Sequence, residues 1–460
     1  MITARSRSPL LHLDGFVWAV GIEDTIIGRP LPGGGVLDEY ALTQHDRFWR
    51  ADLDRAASLG VRAIRYGIPW HRVNPAPGRF DWAWADEVLT YAVRERGLLL
   101  IADLVHYGTP PWLEDAFVDP AFPRALAGYA GAFASRYASL INHYTPLNEP
   151  LVTASFCGER GIWPPYLEGS DGWLRVVFGA VSGIRAAIAA IRQADPNAVI
   201  VHVEAAKLLR PAGADLDGSL AIARERAFLP TDLLLGRVEG AHPLAAWLSA
   251  AGVSDTELQQ VQAGPVAIDL IGINYYPELS VRELVAHEGR WIEVTVDGWD
   301  TGLIEVIEAY WDRYGLPVLV GETSTEGDEQ RQVAWLDASA AALGRLRAGG
   351  VPVRGYTWWP LFDFVDWSHA SGGRPIEEFW VRVNGPNGSS TVAPVYPPGR
   401  PGDPIGAFLR RMGAWRLEPD PEGTLHRVET AVVDRMRALT ADDRAVTAPG
   451  VGTNVGGTDT

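Results

Sequence analysis

Two glutamates stand at the ends of apolar, strand-like runs, where a carboxylate can do chemistry. Glu149 closes the run over residues 140–148 and is followed by Pro150, which cannot continue a strand ladder. Glu322 ends a second apolar run over residues 317–322. A protonated carboxyl and an ionised carboxylate that face one another can cleave a glycosidic bond. Either residue alone could merely cap a helix, so it is the pair that indicates catalysis.

Other polar residues end further strand-like runs, and their types suit the same chemistry. They are Arg65, His106, Asn148, Asn274, Tyr276 and Asp363. The positive charge of Arg65 would favour the ionised form of a neighbouring glutamate, and Tyr276 could donate a hydrogen bond to it. Asn148 is suited to bind a sugar 2-hydroxyl, a contact that strengthens in the transition state. A structural role is the simpler interpretation of each residue alone, but packing alone rarely delivers so many polar groups to one rim.

The elements that must position these residues alternate along the chain. Eight apolar runs read as strands, at residues 16–21, 61–70, 98–106, 140–148, 198–203, 267–276, 317–322 and 353–362. Amphipathic helix patterns separate them, for example at residues 52–59, 84–96, 123–138 and 173–194. Alternating short strands and helices predict a parallel sheet, and eight such units predict closure into a barrel. We therefore predict an α/β fold, a (β/α)8 TIM barrel, as a single domain over residues 1–448.

Three stretches without strand or helix patterns are predicted to be long loops. They cover residues 24–46, 156–172 and 368–404, and each follows the carboxyl end of a predicted strand. In a barrel these ends carry the loops that build the pocket. Residues 449–460 are rich in Gly and Thr, and we predict that they form a disordered tail.

Composition and charge exclude several other classes of protein. The chain has 40 Lys and Arg against 57 Asp and Glu, a formal net charge of −17, so we expect neither a nucleic-acid nor an anionic-membrane partner. Its one cysteine, Cys157, excludes internal disulfides and a cysteine-based metal cluster. The first residues lack the apolar core of a signal peptide, and no apolar run looks long enough to cross a membrane. The expectation is a cytoplasmic protein without a cofactor.

Taken together, the motifs resemble glycoside hydrolase family 1, within the wider clan of barrel glycosidases. The resemblance runs from about residue 16 to residue 439. Residues 145–150 resemble the family motif Thr-x-Asn-Glu-Pro, and residues 106–113 have the spacing of its His-Trp-Asp-Leu-Pro-x-Trp-Leu. Further motifs of the family are matched at residues 16–19, 65–75, 269–276 and 355–363.

The resemblance implies a role for each residue around the reacting carbon. Glu149 would be the general acid/base and Glu322 the nucleophile, so that the β-configuration is retained through a covalent glycosyl-enzyme intermediate. Arg65 and Tyr276 would orient and ionise Glu322.

The same resemblance implies the residues that hold the sugar in the −1 subsite. Asn148 would bind its 2-hydroxyl and His106 its 3-hydroxyl. Asn274 belongs to the sixth-strand motif of the family, and Trp359 would be the hydrophobic platform under the ring.

Three departures from the family pattern concern sugar selection. The family has a glutamine after its first strand, where this chain has Glu23 or Asp24, which can only accept hydrogen bonds. After the eighth strand the family places a glutamate that holds the 4- and 6-hydroxyls, followed by tryptophan, where this chain has Asp366 and Trp367. The resemblance makes Glu23, Asp366 and Trp367 candidates for substrate binding. Gly321-Glu322-Thr323-Ser324 also stands where the family has Thr-Glu-Asn-Gly. Ordinary β-glucosidase specificity is therefore not what the sequence predicts.

The leading hypothesis is an exo-acting retaining β-glycosidase of small glycosides or oligosaccharides. A transglycosylase would use the same intermediate, and a carbohydrate-binding barrel without catalysis would not need a nucleophile. A metal enzyme is disfavoured because His202, Glu204 and the scattered histidines lack the spacing of a ligand cluster. The sugar, the linkage, the aglycone and the oligomeric state stay open.

Overall fold

A computed structural model describes residues 8–12, 15–212, 218–264, 266–374, 376, 380–384, 390–395 and 397–442. The predicted tail over residues 449–460 lies outside these ranges, and so does the predicted domain end at residue 448. The domain limits therefore stay a prediction.

The strands, in chain order, are β1 Val17–Gly21, β2 Ile26–Pro30, β3 Val36–Asp38, β4 Ala63–Gly67, β5 Leu99–Asp103, β6 His143–Thr145, β7 Val199–Ala205, β8 Leu208–Pro211, β9 Leu270–Asn274, β10 Val281–His287, β11 Arg290–Thr295, β12 Val318–Thr323, β13 Val353–Trp358, β14 Phe364–Val365, β15 Trp380–Asn384, β16 Ser390–Pro394, β17 Leu409–Arg410, β18 Trp415–Pro419 and β19 Leu425–Glu429.

The α-helices are α1 Glu39–Leu42, α2 His45–Ser58, α3 Trp70–Val73, α4 Ala83–Thr90, α5 Phe122–Tyr137, α6 Pro150–Ala154, α7 Gly169–Ala194, α8 Ser219–Arg226, α9 Leu229–Leu234, α10 Ala245–Ala250, α11 Asp255–Val261, α12 Trp299–Tyr314, α13 Glu329–Ala348 and α14 Ala431–Ala441. Single π-turns extend α4 over Tyr91–Glu95 and α6 over Ser155–Glu159.

Eight parallel strands close into a barrel in the order β1-β13-β12-β9-β7-β6-β5-β4, and β1 closes the ring by pairing with both β13 and β4. Successive side chains of a strand point to opposite faces. In β1, Val17 and Ala19 join a small apolar cluster with residues of the other barrel strands, whereas Trp18 and Val20 join the larger core shared with the helices. The barrel is therefore filled inside and covered outside, and the predicted (β/α)8 fold is confirmed.

Several predicted strands extend too far at their carboxyl ends. The runs 61–70, 98–106 and 140–148 were predicted as strands, but pairing stops at Gly67, Asp103 and Thr145. Beyond these points only isolated backbone hydrogen bonds continue, for example from Leu104 N to Thr145 O and from Glu149 N to Val203 O. In the third case a proline follows that can donate no ladder hydrogen bond. His106, Asn148 and Glu149 consequently lie in rim segments just past the strands. Arg65, Asn274 and Glu322 lie within β4, β9 and β12.

The first predicted loop is partly regular, which corrects the prediction for residues 24–46. It contains the antiparallel hairpin of β2 and β3, in which Ile27 pairs with Leu37, followed by α1. Pro32 and Gly33 to Gly35 form the turn at residues 31–35, while Ile26, Ile27 and Leu37 pack into the core. Part of the third predicted loop, residues 368–404, is likewise a hairpin of β15 and β16.

A second sheet stands beyond the carboxyl ends of the barrel strands. It has five strands in the order β16-β15-β11-β10-β8. β8 follows barrel strand β7, β10 and β11 follow β9, and β15 and β16 follow β13. These strands therefore all come from connections on the face of the barrel where the predicted site residues lie.

Among the helices in the described part of the chain, α7 alone is long and apolar enough to cross a membrane by length and composition. The expectation that no apolar run reaches that length was wrong. However, 61% of the apolar window of α7 is buried inside the molecule, and Val176, Ile184 and Ile191 of this helix belong to the main core. This burial is typical of the core helix of a soluble fold.

Candidate active site

A cavity of about 590 Å³ opens at the carboxyl ends of the barrel strands. Its floor is formed by predicted site residues, among them Glu23, His106, Glu149, Asn274, Tyr276, Glu322, Trp359 and Trp367. Its outer wall includes residues of the five-stranded sheet, namely Arg282, Trp291, Ile292, Glu293 and Trp380.

Glu322 lies near the end of β12, where both of its carboxylate oxygens accept hydrogen bonds. The Nη1 of Arg65 donates to Oε1 and forms an ion pair, and the hydroxyl of Tyr276 donates to Oε2 across 2.8 Å. A fixed positive charge on one side and a phenol on the other therefore orient this carboxylate.

Arg65 is fully buried on β4 and holds three groups at once. Besides Glu322, its Nη2 donates to Asp103 Oδ2 at 2.5 Å and to Asn148 Oδ1 at 2.6 Å. Burial disfavours its charge, but the carboxylates of Asp103 and Glu322 raise the pKa of Arg65 above its ordinary value. Its guanidinium also lies 5.0 Å from the ring centroid of Trp359. Arg65 therefore contacts both the aromatic ring of Trp359 and the carboxylate of Glu322.

Glu149 stands at the start of α6, in the left-handed backbone conformation with φ 45°. The Nδ2 of Asn274 donates to its Oε1 at 2.7 Å, and the hydroxyl of Tyr107 donates to its Oε2. Burial and then the negative charge of Glu322 raise the pKa of Glu149 to about 7. The two glutamates thus have opposite surroundings: one has a cation beside it, the other is buried near a like charge.

Asn148 and His106 are locked together beside Arg65. Asn148 Oδ1 accepts from Arg65 and, at 3.3 Å, from Asn274 Nδ2. Its own Nδ2 therefore points to His106 Nε2, 3.2 Å away. On the other side of the ring, His106 Nδ1 lies 2.9 Å from oxygens of both Asp24 and Asp103, an arrangement that places the ring proton on Nδ1.

Trp359 forms one side of the cavity just past β13. Its ring is parallel to that of His106, with centroids 5.7 Å apart. Its Nε1 donates to Glu23 Oε2 at 3.4 Å, while Glu23 Oε1 accepts from the backbone N and the hydroxyl of Thr25 at 2.9 and 2.5 Å. Glu23 therefore presents a carboxylate to the cavity, and its neighbour Asp24 is engaged by His106.

Asp366, a predicted substrate-binding residue, is not among the described residues that line the cavity. Its Oδ1 accepts from the backbone N of Ser368 at 3.0 Å and from the hydroxyl of the same residue. With one methylene fewer than glutamate, the side chain caps the turn Trp367–Ser371. Trp367 does line the cavity. Asp363, likewise, bonds to Arg411 at 2.9 Å and to the backbone N of Gly413 at 3.0 Å, a structural role.

Sequence reasoning missed Tyr107 and Asp103. Asp103 is the last residue of β5 and pairs in register with Gly67 of β4, so a charge at the end of the strand beside Arg65 was a usable signal. Tyr107 had no such signal, because its contact with Glu149 depends on a left-handed backbone at φ 68°.

Two sets of three side chains in the described ranges could reach a single metal ion, namely Glu23, Asp24 and His106, and Glu225, Asp232 and His242. In the second set Arg313 already bonds both carboxylates, at 2.9 and 2.6 Å. In the first set, His106 and Glu23 have the partners given above. These contacts account for both groups without an ion, and the absence of a metal stays a prediction.

Comparisons with a family model and with known proteins point to the same family. A family model described as glycosyl hydrolase family 1 matches residues 35–298. Beta-glucosidase A of Thermotoga maritima is 21% identical over 407 residues, covering 78% of this chain and 91% of that protein. A beta-galactosidase of Saccharolobus solfataricus is 23% identical over 387 residues, with 68% and 75% covered. A beta-glucosidase of Agrobacterium sp. is 25% identical over 358 residues, with 70% and 77% covered.

Solved structures agree on the fold. The family 1 b-glucosidase of Thermotoga maritima superimposes with a TM-score of 0.72 at 17% identity, covering 94% of this chain and 99% of that one. The Thermotoga maritima beta-glucosidase in complex with deoxynojirimycin gives 0.73 at 17% identity, with 94% and 98% covered. At this identity the likeness establishes the shared barrel.

Proposed function

The chain belongs to glycosyl hydrolase family 1, and from that membership we propose that this glycoside hydrolase is a retaining, exo-acting β-glycosidase. It acts on small β-glycosides or oligosaccharides through a covalent glycosyl-enzyme intermediate. The observation that carries the proposal is the opposite surroundings of Glu149 and Glu322. A retaining enzyme needs one carboxyl that is protonated and one that is ionised at the same time.

In the first step Glu322 attacks the anomeric carbon while Glu149 gives its proton to the leaving oxygen. The ion pair with Arg65 and the hydrogen bond from Tyr276 support Glu322 as nucleophile. A pKa of about 7 supports Glu149 as acid, since a large fraction of it carries a proton near neutral pH.

In the second step Glu149 acts as the base. Once Glu322 is esterified to the sugar, it loses the negative charge that helps to raise the pKa of Glu149. Glu149, already a carboxylate because it gave up its proton in the first step, takes a proton from the water that attacks the same carbon and so returns to its starting form. The bond between the sugar and Glu322 breaks, which releases the product with its original configuration.

The sugar lies between the two glutamates and the ring of Trp359. Asn148, fixed by Arg65 and Asn274, is the candidate for the 2-hydroxyl, and His106 for the 3-hydroxyl. Glu23 lines the same part of the cavity, and Asp366 does not. We therefore assign the acceptor role at the far hydroxyls to Glu23, with Trp367 beside it.

A panel of nitrophenyl β-glycosides tests this proposal. The panel covers glucose, galactose, fucose, mannose, xylose, arabinose and glucuronic acid, and proton NMR identifies the anomer formed first. We expect turnover of at least one member, with the β-anomer as the first product. If the α-anomer forms first, the retaining mechanism is refuted. If neither this panel nor β-linked oligosaccharides are turned over, the proposed glycosidase activity is refuted.

The matched variant is Glu322→Gln, which removes the nucleophilic charge but keeps the size of the side chain. It should fold like the wild type and lose turnover. Full activity in this variant would remove Glu322 from the role of nucleophile.

A further inference from the structure

We propose that Tyr107 is a positioning residue for the acid/base Glu149, fixing its carboxyl group and balancing its two protonation states. The proposal rests on the proposed function of Glu149. It concerns a residue at which this chain departs from the family pattern, since Tyr107 stands where His-Trp-Asp has its tryptophan.

The contact between the two side chains is direct. The Tyr107 hydroxyl donates to Glu149 Oε2, while Asn274 Nδ2 donates to Oε1 at 2.7 Å. With one donor on each oxygen, the carboxyl group cannot rotate without breaking a buried hydrogen bond. A tryptophan at position 107 would offer an indole N–H at a different place and no hydroxyl.

The ring of Tyr107 is itself held firmly. The residue is 3% exposed, and its ring lies 4.5 Å from His106, 5.4 Å from Trp163 and 5.7 Å from Trp367, between centroids. Tyr107 and Glu149 both have positive φ, at 68° and 45°. Such conformations are costly for residues with a side chain and cluster at functional sites. Here they bring the two side chains to each other.

Several charged or titratable groups act on Glu149 from the surrounding elements, namely Glu322 on β12, His106 and Tyr107 after β5, Glu204 on β7, Tyr276 after β9 and Tyr310 on α12. Burial and Glu322 raise the pKa of Glu149, whereas the hydrogen bonds from Tyr107 and Asn274 lower it. Burial and the neighbouring glutamates raise the pKa of Tyr107 above its ordinary value, so its phenol stays protonated and remains a donor.

The consequence is a balance between the two steps of the reaction. A donor that bonds to the carboxylate stabilises the ionised form, which is the base of the second step. Without it, only Asn274 and His106 oppose burial and the charge of Glu322, so Glu149 holds its proton to higher pH and is a weaker acid toward the leaving oxygen in the first step.

The experiment compares pH profiles of kcat/KM for wild type and Tyr107→Phe on whichever glycoside the wild type cleaves. The alkaline limb reports the pKa of the acid in the free enzyme. Loss of a hydrogen bond to a charged group should move this limb upward by about one pH unit. If the alkaline limb does not move and activity falls equally at all pH values, Tyr107 serves only in packing and the proposal is overturned.

Two further variants serve as a control and as a second test. Tyr129→Phe removes another buried phenol, whose hydroxyl has no hydrogen-bond partner among the described residues, and its profile should match the wild type. Tyr107→Trp restores the residue type of the family pattern and should shift the limb like phenylalanine, which keeps the test available if Tyr107→Phe does not fold.

Direct titration separates this proposal from the proposed function. With ¹³C in the glutamate side chains, the Cδ signal of Glu149 is identified by its loss in Glu149→Gln. Its midpoint should rise by about one pH unit in Tyr107→Phe. A protein that cleaves no glycoside would refute the glycosidase, while the role of Tyr107 at this carboxyl would still be decided by the titration.

Discussion

At the scale of single residues, the site works by giving two identical side chains different neighbours. Arg65 and Tyr276 hold Glu322, whereas Tyr107 and Asn274 hold Glu149. Arg65 also reaches toward Asn148, so the residue that orients the proposed nucleophile orients the candidate for the 2-hydroxyl as well.

Replacement of Glu149 by alanine should remove proton donation while leaving Glu322 and Arg65 in place. We expect kcat/KM for glycosides with poor leaving groups to fall by about 10²–10⁴-fold, the usual contribution of acid–base catalysis, and to fall less for dinitrophenyl glycosides. Added azide should occupy the space left by the side chain and yield a β-glycosyl azide. Wild type and Glu322→Gln, treated with the same azide, are the controls. A folded Glu149→Ala variant that makes no azide product would contradict the assignment.

At the scale of elements, the rim segments after the barrel strands position one another. The segment after β5 approaches β2 so closely that a Cβ on Gly108 would lie 1.6 Å from the backbone oxygen of Ile26. The amide of Ile26 also lies 3.5 Å from the carbonyl oxygen of His106. The first predicted loop and the segment after β5 therefore form one support under the floor of the cavity.

Gly108→Ala should push these segments apart and displace His106 and Tyr107 with them. We expect overpacking to lower the free energy of unfolding by about 1–3 kcal/mol. We also expect a loss of activity at least as large as that of Tyr107→Phe. Urea unfolding and kcat/KM measure the two effects. Gly128→Ala on α5 is the control, since a Cβ there would meet nothing within 4 Å, and alanine should stabilise the helix by about 0.5–1 kcal/mol. Equal behaviour of the two variants would contradict the supporting contact.

The barrel could be predicted because its strands are buried on both faces and so read as apolar runs, while polar residues appear where pairing stops. Asn148 and Glu149 lie where pairing stops. Arg65 and Glu322 lie within β4 and β12, and they were predicted as polar residues of otherwise apolar runs. The hydrogen bond between Asp366 and the backbone of its own turn could not be predicted from the sequence, because local backbone angles set it. The contact of Tyr107 was out of reach, since no pattern signals a left-handed tyrosine.

At the scale of the whole molecule, buried ionisable groups couple stability to pH in opposite directions. Burial raises the pKa of Glu149, so that residue favours the folded state at low pH and disfavours it as pH rises. Burial lowers the pKa of His143 and of His202 to about 4 from 6.5. Each histidine therefore contributes stability above pH 6.5 that is lost as pH falls toward 4.

His143→Gln should flatten the dependence of stability on pH in that window. Between pH 6.5 and pH 4 the unfolded chain binds a proton that the folded wild type excludes, which costs about 1.4 kcal/mol per pH unit. The variant should lack this share of the slope, as measured by urea unfolding at several pH values. A slope that His143→Gln does not alter would contradict the burial of an uncharged histidine.

The residues near the reacting carbon and the residues of the outer wall of the cavity belong to different sets of strands. The groups proposed to act at the anomeric carbon lie at the ends of barrel strands, whereas Arg282, Trp291 and Trp380 on the outer wall belong to inserted strands. Mutations in those strands can reshape the entrance without moving a barrel strand. Over evolutionary time, descendants of such a protein can therefore exchange one leaving group for another while inheriting the same reaction, and the inserted sheet is where we expect their sequences to diverge first.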